Sequence, residues 1–162
     1  MDFDVVNAPA DAIVATAMQC EPCLVDGNCV VGACQGGLCR FDTEIVIDCF
    51  ADCRIGTDPV SSWTLRATNL RAGQYTITAI PSACSFGPGL TTPWRFNPFC
   101  GSLDLSPIGT LGYTTASAAE AAVSTTPIVQ TFAGGDLRCA SLDSACGDNS
   151  GLTRFMVADS CP

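Results

Sequence analysis

Residues 63–80 read Trp63-Thr64-Leu65-Arg66-Ala67-Thr68-Asn69-Leu70-Arg71-Ala72-Gly73-Gln74-Tyr75-Thr76-Ile77-Thr78-Ala79-Ile80. Two runs rich in Thr, Ile and aromatic residues alternate in polarity on either side of a polar turn at 69–73. That period of two places Tyr75, Ile77 and Ala79 on one face of a strand. The pattern predicts a β-hairpin and makes the chain mainly β. Further strands are expected at 108–114, 127–133 and 152–158, where short apolar runs end in Gly, Pro or Ser. One short helix is expected at 117–123, because Ser117-x-x-Glu120 has the form of a capping box ahead of Ala-Ala-Val.

The remainder of the chain is unusual in its cysteines. Twelve occur in 162 residues, at 20, 23, 29, 34, 39, 49, 53, 84, 100, 139, 146 and 161. An even number at this density predicts six disulfides formed in an oxidising, exported compartment. The metal alternative would begin a four-thiolate site at Cys20-x2-Cys23, but the spacings that follow match neither zinc ribbons nor ferredoxins. Seven cysteines lie in 20–53 and five in 84–161, so complete pairing requires at least one bridge between the groups. Spacing suggests that Cys84 pairs with Cys100 and Cys139 with Cys146, leaving Cys161 to join the N-terminal set.

Composition excludes more chemistry than it suggests. The chain contains no His, and all seven of its basic residues are Arg. Ser-His-Asp and Cys-His catalysis, imidazole metal ligation and lysine Schiff bases are therefore unavailable. Net charge is −9, which opposes binding to nucleic acid. No apolar run approaches the length of a membrane-spanning helix. No Asn begins an N-glycosylation sequon. The expectation is a non-enzymatic protein with no cofactor, whose partners are other proteins or copies of itself.

Charge also divides the chain. Residues 1–58 carry ten acids and two Arg, whereas 59–162 carry six acids and five Arg. The expected organisation is an extended arm at 1–19, an acidic Cys-rich module at 20–58 and a β-rich, sandwich-like domain at 59–162. Within the arm, Ile13, Val14 and Thr16 suit a strand, although Pro9 could open a short helix. Three acids and the lack of a basic start or long apolar centre distinguish 1–19 from an export signal, so the sequence reads as a mature form.

Residues 26–39, Asp26-Gly27-Asn28-Cys29-Val30-Val31-Gly32-Ala33-Cys34-Gln35-Gly36-Gly37-Leu38-Cys39, have the form DGxCxxGxCxGGxC. This resembles Cys-rich modules of secreted and cell-surface proteins, including disintegrin-like and EGF-like loops, and implies disulfides and export. Residues 70–79 are similar to the L-x-x-G-x-Y-x-V-x-A strand entry of immunoglobulin-like and fibronectin-like sandwiches, a resemblance that implies a corner contact by Tyr75.

Three groups are candidate sites. Asp42, Glu44, Asp48 and Asp52 could gather as calcium ligands, or form a solvated acidic face. Phe86, Trp94, Arg95, Phe96 and Phe99, on a segment with Pro88, Pro93 and Pro98, could dock on a partner, since aromatics and Arg are enriched at interface centres. The same segment could instead fold back as a lid on the core. Residues 146–151, Cys-Gly-Asp-Asn-Ser-Gly, superficially resemble the nucleophile loop of chymotrypsin-like proteases, but without His the turn reading is preferred. The leading functional expectation is a structural or accessory subunit of an extracellular, surface or membrane-peripheral assembly. The alternative is a secreted monomeric binding module or inhibitor presenting bridged loops.

Overall fold

The computed structural model describes residues 19–24, 27, 29–87 and 89–161. The expected arm therefore lies outside the described residues, except for Gln19.

Among the described residues, twelve strands and one α-helix build a mainly β, sandwich-like fold. The main sheet is antiparallel and runs β10 (Ile128–Phe132), β6 (Gly73–Ile80), β12 (Asn149–Asp159), β3 (Asp42–Asp48). The first residues of β12 extend past this sheet to pair with β7 (Cys84–Phe86), which pairs with β8 (Trp94–Arg95). A second sheet centres on β11 (Gly135–Asp143), flanked by β5 (Thr64–Leu70), a parallel β4 (Cys53–Ile55) and β9 (Pro98–Cys100). A separate hairpin, β1 (Ala33–Gln35) and β2 (Leu38–Arg40), lies in the Cys-rich module.

Alternation along the strands generates the core. Ile45 and Ile47 on β3, Tyr75, Ile77 and Ala79 on β6, Phe155 and Val157 on β12 and Phe132 on β10 meet Leu137 and Cys139 on β11. Burying each of these large side chains stabilises the fold by roughly 1.5–3 kcal/mol. Phe41 and Phe132 approach the Tyr75 ring edge to face.

The hairpin expected across 63–80 does not form. β5 pairs with β11 and β6 with β10 and β12, so the turn at Arg71 and Ala72 carries the chain from one sheet to the other. Two alternating runs and a turn specify two strands but leave open whether those strands share a sheet. At this corner the Tyr75 hydroxyl shares its proton between the Arg71 carbonyl and Gln19 Oε1, at 2.8 and 3.0 Å. Gly134 permits a second crossing, from β10 to β11. Its φ is +88°, and a Cβ there would lie 3.0 Å from the Ala72 amide nitrogen.

Strands form at 128–132 and 149–159, close to two of the expected positions. At 108–114 no strand forms, although Tyr113 makes an isolated bridge to Trp94. The helix, α1 (Ala116–Ala122), begins earlier than its predicted box. Its cap is the Thr115 hydroxyl, accepting from the Ala118 amide at 3.2 Å, rather than Ser117 with Glu120. The proline-bearing segment 84–100 contributes three short strands to the sheets. The strands β7, β8 and β9 are only two or three residues long, and Pro93 lies between them.

All twelve cysteines are paired, in six bridges. Cys23–Cys34 and Cys29–Cys39 lock the hairpin module, and Cys20–Cys161, Cys49–Cys84 and Cys53–Cys146 join the N-terminal group to the rest. The sixth, Cys100–Cys139, crosses β9 and β11, where the two residues are opposite in register. This corrects the expected Cys84–Cys100 and Cys139–Cys146 pairs, because strand pairing brings together cysteines that lie far apart in sequence. Cys161 does join the N-terminal set, through Cys20. β3 belongs to the main sheet and β4 to the second, so both lie within the sandwich-like fold.

Candidate docking edge

The four acidic candidates do not converge. Asp42, Glu44 and Asp48 project from the same side of β3, Asp42 about 7 Å from Glu44 and Glu44 about 13 Å from Asp48, with Val46 between them. Glu44 Oε1 accepts from Arg154 Nε at 2.6 Å, and this bond holds the Glu44 carboxyl below its usual range. Asp48 Oδ1 accepts from the Phe50 and Ala51 amides, each at 2.9 Å, and shapes the turn after the strand. Asp52 is buried. It accepts from Thr64 Oγ1 at 2.6 Å and from the Asp48 amide at 2.8 Å, and it pairs with Arg66. Glu44 is thus engaged by an exposed ion pair and Asp48 and Asp52 by the backbone and by Arg66, so the four acids do not gather their oxygens at one point. The close groups of potential ligands among the described residues centre instead on cysteines already in bridges, one of them beside Asp159.

Within the aromatic segment, Phe86 and Phe96 fold back onto the core, whereas Trp94, Arg95 and Phe99 stay partly exposed. Phe96 is fully buried in the core and Phe86 is buried beside Cys49–Cys84. Phe96 exchanges bonds with Thr110: its amide donates to Oγ1 at 2.8 Å and its carbonyl accepts from the Thr110 amide at 2.9 Å. The Arg95 guanidinium lies 4.7 Å above the Phe86 ring. Trp94, Arg95 and Phe99 remain half-buried. Phe86 and Phe96 cannot serve as docking residues while the core is intact.

A third cluster ties Gln19 to Asp159, 140 residues apart in sequence. A cleft of about 120 Å³ is lined by Gln19, Arg71, Gly73, Tyr75 and Asp159. Gln19 Nε2 donates to Asp159 Oδ2 at 2.8 Å, and its Oε1 accepts from the Arg71 amide at 3.1 Å and from Tyr75. Asp159 also accepts from the Phe41 amide. Burial pushes the Tyr75 phenol above its usual value of 10.0. With these polar groups satisfied internally, the cluster works as a clasp beside Cys20–Cys161.

Among the described residues, β3 and β10 are two edge strands of the main sheet, and they differ. On β3 the outward residues are Asp42, Glu44, Val46 and Asp48. On β10 they are Val129, 56% exposed, and Thr131. The chain is uncharged from 121 to 135. Among the described residues no strand pairs with the free side of β10. Unpaired N–H and C=O groups on a strand without charged residues are a template for another strand. Residues 127–133 were legible as a strand, but that this strand is an edge depends on pairings that alternation does not encode. No family model, curated protein or solved structure matches the chain.

Proposed function

We propose that this chain is an exported, non-enzymatic, disulfide-stapled β protein that serves as a structural or accessory subunit of a larger extracellular, surface or membrane-peripheral assembly, docking through the free edge of β10. The observation that carries the reading is the contrast between an acidic edge and an uncharged one on the same sheet. Six bridges support an oxidising compartment. Each could contribute on the order of 3 kcal/mol, the durability that exported proteins need. No described helix is long and apolar enough to cross a membrane.

A second reading, a monomeric binding module, draws on the bridged hairpin module, where Leu24 is 92% exposed. Size-exclusion chromatography with light scattering under non-reducing conditions separates the two. The assembly reading expects mass to rise with concentration. A chain that stays monomeric, while substitution of Leu24 abolishes capture of a partner, would favour the binding module.

A further inference from the structure

The uncharged edge of β10 has a matching strand in the chain itself. Residues 12–18, Ala-Ile-Val-Ala-Thr-Ala-Met, are uncharged and lie between Asp11 and Glu21. Val, Ile and Thr have high strand propensity. In a chain of net charge −9, contacts between copies accumulate like charges, except where both surfaces are uncharged. These residues and β10 satisfy that condition together, whereas β3 with Asp42, Glu44 and Asp48 does not.

The position of Gln19 decides between the chain's own edge and a neighbour's. Gln19 is fixed against Arg71 and Tyr75, and Gly73 stands opposite Phe132 in the β6–β10 register. A segment ending at Gln19 and laid along its own β10 would run from the Ile128 end to the Phe132 end. That is parallel to β10. Parallel pairs are the less stable kind, and antiparallel pairs outnumber them severalfold. The same segment from a second copy approaches without this restriction and can pair antiparallel. The eighteen residues before Gln19 could span at most about 60 Å when extended, which is ample for reaching a neighbour.

We infer that residues 12–18 of one copy add as a strand to the β10 edge of a second copy, main-chain hydrogen bonds supplying affinity and alternate side chains supplying register. The inference rests on the docking role given to β10 above and names its occupant. An arm that leaves one copy and seats on the next makes a head-to-tail contact, so it builds rings or filaments unless the exchange is mutual.

Three full-length chains test it: the parent, an arm variant carrying Ile13→Asp with Val14→Asp, and an edge variant carrying Val129→Lys. Folding of each is checked by thermal melting, and mass is followed by light scattering across a concentration series. The parent should associate, and each variant alone should need at least about tenfold more protein to do so, because a charge on either strand blocks addition. Mixing the two variants should restore a dimer, since one contributes an intact edge and the other an intact arm. An arm variant that associates like the parent, alongside an edge variant that does not, overturns the inference and leaves the docking edge standing. An edge variant that associates like the parent overturns the docking edge itself. A parent that stays monomeric overturns the arm exchange.

Discussion

β3 and β10 close the same sheet at opposite ends and are anchored in the same core, yet they meet solvent differently. β3 buries Ile45 and Ile47, and β10 buries Phe132 against Tyr75. Outward, β3 presents three carboxylates, one of them paired with Arg154 on the adjacent strand, whereas β10 presents Val129 and Thr131. Packing decides that both are strands. On the proposed docking role, charge sets which of them tolerates a further strand, and stability and association would then be perturbed independently.

The largest effects fall on the shared anchoring. Phe132→Ala should cost about 3–5 kcal/mol and Ile47→Ala about 2–5 kcal/mol in chemical denaturation, through lost burial and the cavities left behind. Comparable losses would establish that both edges are fixed by the core. A loss below about 1 kcal/mol for Phe132→Ala would mean that β10 is only loosely attached, and its edge a poor template.

A smaller effect is expected behind β10, at Tyr75. Tyr75→Phe removes the hydroxyl proton shared by Arg71 and Gln19 and should cost about 1–3 kcal/mol, since the buried acceptors lose a donor. The same residue gives a pH dependence. Its folded value lies above the ordinary 10.0, so its contribution is whole below that pH and is lost as pH rises through the raised folded value. Alkaline titration by ultraviolet absorbance should show a late-ionising phenol that is missing from Tyr75→Phe. Its persistence in that variant would overturn the assignment to Tyr75.

Substitutions on the outward faces should change stability least. Val46→Lys and Val129→Lys are each expected within about 0.5 kcal/mol of the parent, as exposed substitutions usually are. Only Val129→Lys should reduce association. The smallest change is expected for Glu44→Gln, which removes an exposed ion pair. Because Arg154 depresses the Glu44 carboxyl, the contribution of the pair is present at neutral pH and fades only as pH falls through the lowered folded value. Carboxyl chemical shifts followed from neutral to acid should place that midpoint below the midpoint of an ordinary glutamate. A normal midpoint would remove the pair from the account of this edge.

Much of this architecture was legible because alternation is local. Tyr75, Ile77 and Ala79 form a buried row as their period predicts, and the strands at 128–132 and 149–159 and the helix at 116–122 stand near their expected places. What was not legible depends on long-range pairing. β11 carries Gly135, Asp136 and Arg138 within nine residues, a poor strand by propensity, and becomes the centre of the second sheet because its neighbours supply its partners. The corner at Arg71 and the Cys49–Cys84, Cys53–Cys146 and Cys100–Cys139 bridges likewise follow from which strands meet. The aromatic segment misled because aromatic residues suit a core as readily as an interface. The docking edge escaped notice because an edge is defined by the strand it lacks.

Hydrogen–deuterium exchange of the parent chain at low and high protein concentration tests the central claim most directly. Amides of β10 should become more protected as concentration rises, while those of β3 should exchange at the same rate in both samples. Equal exchange at both edges across the whole range, or protection that appears on β3 instead, would contradict the assignment of β10 as the docking edge.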